Sequence, residues 1–410
     1  MLRLLIACGV VACAPWAQAQ DFRTSFTAVT PKNFDSGGAI SRQFHLNAEA
    51  YFPMTTIHRT GPARDLIAAP DPALADLNVR HGEATSRFAD YVANDPLLDG
   101  VVVLRGGEIV FEAYPNMRAH GRHFAWSVTK VVTATTLAAL ADQGRVDMQA
   151  PVERYVPALA ASAWAGTPVQ AIADMASGID CRDSDGYQKT STCIYRMEEA
   201  LGITASTGRK RDFIQELQRM KRRGPAGVTN EYVSANTNVL MLVIEGVTGE
   251  PYAKAVERLV WTRIGAEADG LMAISKAGYA YGSGGLHARL RDVARFGQIY
   301  TRSAELGVVS DARVRAMQTG GVPLSPAALD ELPKALAEDP PVRASWQWDA
   351  IWSDGGMFKG GYSGQGLYVD PSRDLVIAWF GTGLNFNATR NAMLPVSRQI
   401  ARAMDGAQAR

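Results

Sequence analysis

The chain has few lysines, few cysteines, almost no net charge and no long apolar run, and these shortages limit the classes of protein and the motifs to be considered. Its 410 residues include 42 basic and 41 acidic side chains, which gives a net charge of +1. A protein that binds nucleic acid through its phosphates needs a surplus of cations, so nucleic acid is excluded as a partner. Only nine of the basic residues are lysine, which makes a lysine-containing motif harder to obtain by chance.

Several motifs of well-known chemistry are also missing. The sequence contains no HExxH metal-binding pair, no Gly-x-Ser-x-Gly turn and no GxxxxGK[ST] phosphate loop. His120 and His123 are three residues apart but lack a third ligand, which favours a polar turn over a metal site. We therefore expect no metal and no organic cofactor. A hydrophobic fraction of 47% nevertheless predicts a sizeable folded core.

Residues 1–19 are typical of an export signal. Arg3 supplies a positive charge, residues 4–12 form an apolar stretch, and Ala17-Gln18-Ala19 is a small-residue cleavage site. The apolar stretch is too short to span a bilayer, and no later segment is long and apolar enough. A lipoprotein signal ending at Cys13, which would carry a lipid anchor, is the alternative. We expect a periplasmic or secreted protein.

Cys181 and Cys193 are the cysteines that remain beyond the export signal. They lie twelve positions apart in a polar stretch, and two such residues in an oxidising compartment are expected to pair as a disulfide. Two free thiols are the alternative. A zinc site is not supported, because no nearby histidine or further cysteine completes a tetrahedral set.

The distribution of apolar residues and turns divides the mature chain into two parts. Residues 20–85 read as an irregular N-terminal extension, and residues 86–405 as one regular domain. Antiparallel strands joined by short turns, with helices between them, predict an α+β fold. The α/β body is expected at about 86–150 and 271–405, and a helical lobe at about 151–270. The clearest elements are a hairpin at 101–114, helices at 127–143, 236–245, 290–300 and 395–404, and strands at 366–369 and 375–381.

Ser127 and Lys130 form a Ser-x-x-Lys pair at the start of a predicted helix. Residues three apart share a helix face, so the amine can reach the hydroxyl. Ser127 opens the helix, where unpaired N–H groups favour developing negative charge. Burial in this uncharged stretch would lower the pKa of Lys130 and allow it to accept a proton. A serine cap followed by a surface lysine is the alternative.

Two further segments carry chemically useful residues. Tyr232 precedes Ser234 and Asn236 at the start of a second helix, and a tyrosine near a lysine can hold or donate a proton. The segment Lys359-Gly360-Gly361-Tyr362 enters a strand, where glycines allow a substrate to approach closely. An N–H group there could join that of Ser127 in an oxyanion hole. Taken singly, a core tyrosine and a glycine-rich hairpin are the ordinary interpretations.

In this order the three segments resemble the serine β-lactamase-like superfamily, which includes class C β-lactamases, DD-peptidases, esterases and 6-aminohexanoate-dimer hydrolases. The family pattern is Ser-x-x-Lys, then Tyr-x-Asn or Tyr-x-Ser, then Lys/His-x-Gly on a strand. The resemblance extends from about residue 98 to 400, with further similar blocks at 124–130, 173–179, 244–249, 285–286 and 291–297.

The resemblance implies a role for each of these residues. Ser127 would be the acylated nucleophile, Lys130 its proton partner, and Tyr232 the general base or acid that serves the leaving group. The N–H groups of Ser127 and Tyr362 would form the oxyanion hole. The fold would be a β-lactamase/transpeptidase-like fold, with a five-stranded antiparallel sheet flanked by helices and a mostly helical lobe. Substrate would be bound by Ser234, Asn236, Lys359, Gly360 and Gly361.

Two departures from the class C pattern narrow the predicted function. Ser234 stands where that class has Asn, and Lys359-Gly360-Gly361 lacks the hydroxyl of Lys-Thr-Gly. Both look more like the esterase and aminohexanoate-dimer hydrolase branch, which predicts an exported serine hydrolase acting on a small ester or amide. A β-lactamase or DD-carboxypeptidase, and a non-catalytic penicillin-binding-like sensor module, are the alternatives. The sequence leaves open the oligomeric state and whether Lys130 or Tyr232 accepts the proton.

Overall fold

The computed structural model describes residues 23–330, 332–383 and 393–408. The predicted export signal, its cleavage site and Cys13 lie outside the described residues. Within the described ranges, no helix is both long enough and apolar enough to cross a membrane.

In the described residues, the strands form one large antiparallel sheet and two smaller ones. The large sheet has the order β5-β4-β14-β13-β12-β11-β10-β9, a four-stranded sheet has the order β1-β7-β8-β6, and β2 pairs with β3. The strands are β1 Met54–Ile57, β2 Asn78–His81, β3 Ala84–Arg87, β4 Leu98–Arg105, β5 Glu108–Ala113, β6 Arg122–Phe124, β7 Gly270–Ala273, β8 Leu286–Arg289, β9 Val322–Pro323, β10 Arg343–Ser345, β11 Trp348–Ile351, β12 Met357–Gly360, β13 Gly366–Asp370 and β14 Leu375–Gly381.

The helices lie on both sides of the large sheet and make up most of the lobe between β6 and β7. They are α1 Gly38–Leu46, α2 Pro72–Ala75, α3 Phe88–Asn94, α4 Thr129–Asp142, α5 Val169–Ala173, α6 Cys193–Leu201, α7 Phe213–Arg219, α8 Ser234–Thr248, α9 Tyr252–Val256, α10 Leu290–Gly297, α11 Asp311–Thr319, α12 Pro326–Asp330 and α13 Met393–Gln408. Residues 23–28 are also helical.

The predicted α+β architecture is confirmed, and so are the principal elements. The hairpin is β4 and β5, the predicted strands are β13 and β14, and the four predicted helices are α4, α8, α10 and α13. The strand number is a correction, because the described sheet has eight strands rather than five. The additional strands β9, β10 and β11 have only two to four residues each, too few to show an alternating pattern in the sequence. They pair in series, β11 with β12, β10 with β11 and β9 with β10, and this pairing gives them their hydrogen bonds.

The central strands are buried on both faces of the large sheet. In β4, Val102 and Leu104 belong to the core shared with α4 and α8, whereas Val101 and Val103 face the core shared with α3 and α13. Successive strand residues point to opposite faces, so a strand covered on both sides has an uninterrupted apolar sequence. The sheet is thereby a rigid support, and its strand β12 contacts residues 126–128.

The N-terminal segment is part of the same core, which corrects the expectation that residues 20–85 are irregular. Strand β1 pairs with β7 over four residues, and Phe44 of α1 is fully buried against Phe124 of β6. These contacts depend on partners more than 70 positions away in the sequence, so neither Pro nor Gly content near the segment could reveal them.

Candidate active site

Ser127 lies in a tight turn that connects β6 to α4. Residues 126–128 form a single 3₁₀ turn, and α4 begins at Thr129. Trp126 has φ +45°, the left-handed region that a bulky side chain rarely adopts. The turn directs Ser127 toward a cleft between the large sheet and the helical lobe, and Ser127 keeps 9% of its surface exposed.

Lys130 lies one helical turn beyond Ser127 and is fully buried. Its Nζ is 2.9 Å from Ser127 Oγ and 2.8 Å from the carbonyl oxygen of Ser283. Burial and the nearby charge of Lys359 lower the pKa of Lys130 to about 7, although the more distant carboxylates partly oppose the shift. With the Ser283 carbonyl accepting one N–H, a neutral amine can turn its lone pair to the Ser127 hydroxyl.

Tyr232 is positioned by both lysines just before α8 begins. Lys359 Nζ donates a hydrogen bond to Tyr232 Oη at 2.9 Å. The Nζ atoms of Lys130 and Lys359 lie 5.1 and 4.5 Å from the centroid of its ring. The structure therefore brings together Ser127, Lys130, Tyr232 and Lys359, which are separated by up to 232 positions in the chain.

Asp349 of β11 was not identified from the sequence and is the partner of Lys359. Its Oδ1 is 2.5 Å from Lys359 Nζ, and its Oδ2 accepts a 2.9 Å hydrogen bond from the N–H of Gly360. Burial lowers the pKa of Lys359, and the charge and hydrogen bond of Asp349 oppose that change. Strand β11 has only four residues and was not predicted, so no sequence signal placed this carboxylate beside β12.

Gly361 and Tyr362 bring the end of β12 against the Ser127 turn. A Cβ built on Gly361 would lie 2.9 Å from the carbonyl oxygen of Ala125, closer than real Cβ contacts allow, so glycine is required at this approach. The rings of Tyr362 and Trp126 have centroids 5.5 Å apart. Tyr362 therefore lies beside the nucleophile turn, and its predicted oxyanion role stays a prediction.

Ser234 and Asn236 lie beneath the cleft rather than in its wall. The N–H and Oγ of Ser234 bond to the two oxygens of Asp183 at 2.8 and 2.5 Å, and Asn236 Nδ2 contacts Met175 Sδ at 3.5 Å. Both are fully buried. Their role in substrate binding stays a prediction. The contacts of Ser234 join α8 to Asp183, and the contact of Asn236 joins α8 to Met175.

The cleft contains carboxyl groups and aromatic rings that the sequence reading missed. Burial raises the pKa of Glu198 to about 8, and Tyr281 donates to it at 2.6 Å. Burial also raises the pKa of Asp35, which accepts hydrogen bonds from Gln188 and Tyr362. The lining residues are Phe34, Asp35, Trp126, Ser127, Tyr187, Gln188, Glu198, Thr204, Tyr281 and Tyr362.

A disulfide joins two of the elements that line this cleft. Cys181 and Cys193 are bonded, with Cα atoms 5.2 Å apart. Cys181 precedes Asp183, and Cys193 is the first residue of α6, the helix that carries Glu198. The crosslink therefore fixes the start of α6 against the segment beneath Tyr232.

The prediction that the protein needs no metal stays a prediction. No cluster of three or more His, Cys, Asp or Glu side chains suited to a metal occurs in the described ranges. His123 is buried and bonds to Asp99 at 3.1 Å, so it belongs to a charge network behind the Ser127 turn.

Comparisons with known proteins agree with this arrangement. The family model described as Beta-lactamase matches residues 98–402. The 6-aminohexanoate-dimer hydrolase of Paenarthrobacter ureafaciens is 31% identical over 321 residues, which cover 76% of this chain and 80% of that protein.

Solved structures show the same fold at lower identity. A Bacillus anthracis protein provisionally named a 6-aminohexanoate-dimer hydrolase superposes with a TM-score of 0.78 at 21% identity, over 93% of this chain and 98% of that one. A D-stereospecific amidohydrolase from Streptomyces sp. has a TM-score of 0.53 at 18% identity, over 72% and 93% of the two chains. EstCE1, a hydrolase with promiscuous acyltransferase activity, has a TM-score of 0.56 at 15% identity, over 75% and 93%.

Proposed function

Because the chain belongs to the β-lactamase family of serine hydrolases, we propose that it hydrolyses a small linear amide or ester through an acyl-enzyme on Ser127. The observation that carries the proposal is the 2.9 Å contact between Ser127 Oγ and Lys130 Nζ, whose pKa is lowered to about 7. A lysine in this state is neutral in a large fraction of molecules at neutral pH, so it can accept the serine proton.

Acylation begins when Ser127 Oγ attacks the substrate carbonyl carbon. The serine proton moves to Lys130 Nζ, and the carbonyl oxygen becomes an oxyanion. The N–H groups of Ser127, in the 3₁₀ turn, and of Tyr362, just after strand β12, are the proposed donors to that oxygen. Because these donors are fixed before reaction, they need no reorganisation in the transition state.

Collapse of the tetrahedral intermediate breaks the bond to the leaving group. Tyr232 is the proposed donor to the departing nitrogen or oxygen, and its proton is replaced from the Lys130 ammonium. Lys359 donates to Tyr232 Oη at 2.9 Å, which orients the phenol and stabilises negative charge on its oxygen. Water then attacks the acyl-enzyme carbonyl, and the same groups act in reverse order to release Ser127.

The cleft favours an amide whose chain carries an amino group. Glu198 and Asp35 line it, and burial raises the pKa of both carboxyls. A buried carboxyl ionises more readily beside a cation, so an ammonium group is a fitting ligand. The 31% identical relative is named for the 6-aminohexanoate dimer, a linear amide with an amino terminus. We propose this substrate class for the present chain.

We also propose that the protein works outside the cytoplasm, in the periplasm or as a secreted protein. The export signal of the sequence and the Cys181–Cys193 bond support this location. Intact mass of the purified mature protein tests it: cleavage after Ala19 leaves Gln20 first, whereas a lipid-modified Cys13 identifies the lipoprotein alternative. A protein that retains Met1 contradicts export.

Labelling with a fluorophosphonate probe and a substrate panel tests the proposed activity. We expect labelling of the wild type at Ser127 and none of Ser127→Ala. In the panel, a linear aminohexanoate dimer should be cleaved faster than its N-acetylated form, a D-Ala-D-Ala peptide or a chromogenic cephalosporin. Faster turnover of the cephalosporin makes β-lactam hydrolysis the function, and absence of labelling supports the non-catalytic sensor instead.

A further inference from the structure

The residue directly before the proposed nucleophile has a backbone conformation that something else must hold. Trp126 has φ +45°, and for a bulky residue this conformation persists only where surrounding contacts fix it. Ser127 is bonded to it, so any relaxation of Trp126 moves the Ser127 side chain and its N–H group. The contacts of the Trp126 side chain therefore bear on catalysis.

Those contacts come largely from the N-terminal segment, outside the residues that the family model matches. The indole N–H of Trp126 donates to Nε2 of His45, in α1, at 2.8 Å. Its ring packs on Phe34 and Phe44 from the same segment, with centroids 5.8 and 5.9 Å away. The ring of Phe124, in β6, also packs on the Trp126 ring, with centroids 4.8 Å apart.

The hydrogen-bond directions around His45 follow from its partners. An indole N–H only donates, so His45 Nε2 must be unprotonated. Burial lowers the pKa of His45 well below its ordinary value, which favours the neutral ring with its proton on Nδ1. That proton faces Thr382 Oγ1 at 3.2 Å, and Thr382 Oγ1 in turn donates to Asp99 Oδ2 at 2.5 Å.

The far end of this chain of hydrogen bonds is anchored by charge. Asp99 is fully buried, and its Oδ1 accepts from Arg42 Nε at 2.6 Å while its Oδ2 contacts His123 Nε2 at 3.1 Å. Arg42 and His45 are three residues apart on α1, so they share one face of that helix. Helix α1 is thereby fixed to the body at both ends of the network.

We propose that His45 is a positioning residue for Ser127, acting through the indole of Trp126. The network Asp99–Thr382–His45–Trp126 holds Trp126 in its left-handed backbone conformation at the start of the turn. Ser127 is thereby placed so that its Oγ contacts Lys130 and its N–H can donate to the oxyanion. The inference rests on the proposed function in one respect, which is that Ser127 is the nucleophile. It gives α1 a task in catalysis although α1 touches no reacting atom.

Two substitutions at the same position separate this role from simple packing. In His45→Gln the amide oxygen can occupy the place of Nε2 and accept from Trp126, whereas the shorter side chain of His45→Asn reaches only the place of Nδ1. We expect His45→Asn to slow fluorophosphonate labelling and ester kcat by about tenfold or more, with KM changed by no more than about twofold. His45→Gln should recover to within about threefold of wild type.

Ser41→Ala is the matched control for loss of α1 stability. It removes the 2.6 Å hydrogen bond from Gly37 N–H to Ser41 Oγ, in the same helix but away from Trp126. We expect a lower Tm with a labelling rate within about twofold of wild type. If His45→Asn slows labelling no more than Ser41→Ala does, or if His45→Gln restores nothing, the inference is wrong.

Trp126→Phe keeps the test usable if His45→Asn does not fold. It removes the indole N–H together with part of the ring while His45 and α1 remain, and it should slow labelling to a similar degree. Where His45→Asn folds, the double variant Trp126→Phe/His45→Asn should be no slower than the slower single variant, because both changes remove the same hydrogen bond. Additive losses contradict the inference. An unlabelled wild type would instead overturn the proposed function, and this inference with it.

Discussion

The surroundings of Lys130 and Lys359 differ in one decisive partner. Both side chains are almost completely buried, at 1% and 0% exposure, and burial lowers the pKa of both. Lys130 contacts a hydroxyl and a backbone carbonyl, neither of which carries a charge. Lys359 contacts the Asp349 carboxylate. One site therefore favours a neutral amine and the other an ammonium, which suits a proton acceptor beside a fixed cation.

The largest expected effect comes from placing arginine at each lysine position. Arginine stays charged in proteins, so Lys130→Arg should lower kcat/KM by about 10³-fold or more. Lys359→Arg keeps a cation beside Asp349 and should cost only about tenfold, since the guanidinium differs in shape. Ester hydrolysis by the two purified variants, with Tm as the folding control, measures the difference. Equal losses would show that the two lysines do not have separate roles.

Asp349→Asn sharpens the comparison from the side of Lys359. Without the carboxylate, only the charge of Asp183 still opposes burial, so the pKa of Lys359 should fall further and Tyr232 should have a weaker cationic neighbour. We expect kcat to fall by about 10- to 100-fold, with Ser127 still labelled. The control is Asp354→Asn, which removes a carboxylate bonded to Arg398 and Arg373, remote from the cleft. If Asp349→Asn has the same rate as wild type, Asp349 does not support catalysis through Lys359.

The pH dependence of activity tests the neutral state of Lys130. With a pKa lowered to about 7, kcat/KM should fall by about tenfold per pH unit below that value, because the protonated amine cannot accept. Glu198 has a pKa raised to about 8 and titrates nearby, so Glu198→Gln is the control. It should retain the acid limb, moved if anything to lower pH, since the Glu198 charge raises the pKa of Lys130. Loss of the limb in this variant would assign it to Glu198.

The stability of the folded protein should also depend on the titration of Lys130. The pKa of Lys130 is about 7 in the folded protein and 10.5 as its ordinary value, so between these values the unfolded chain holds the extra proton. Stability therefore rises with pH across this window. Lys130→Met should be more stable than wild type at pH 6, by about 2–4 kcal/mol, and the advantage should shrink toward pH 10. Urea unfolding at several pH values measures it, and a pH-independent difference contradicts a lowered pKa.

The smallest effect is expected from opening the disulfide. Replacing Cys181 and Cys193 by serine should reduce the free energy of unfolding by about 2–3 kcal/mol, and kcat by no more than a few-fold, because Lys130 and Lys359 keep their own contacts. Urea unfolding and ester hydrolysis of the double variant test both. A loss of activity as large as that of Asp349→Asn would show that the crosslink holds the catalytic groups themselves.

The residues that sequence reading found and those it missed differ in their kind of signal. Ser127 and Lys130 are three residues apart, so helix periodicity alone places them together. Strands β4, β5, β13 and β14 were predicted because each has a long β-branched or apolar run next to a tight turn. Asp349 and His45 sit in unremarkable local sequence, and their partners are 10 and 81 positions away.

The sequence by itself determined the fold class, the family and the nucleophile motif, because these depend on periodicity and on spacing within single elements. Only the tertiary structure decided which charges surround Lys130 and Lys359, and that α1 contacts the Ser127 turn. The physical reason is that a pKa depends on burial and on charges within a few ångströms, and such neighbours come from strands and helices far apart in the chain. The sequence shows nine lysines, but their protonation states depend on the surroundings that the folded structure gives them.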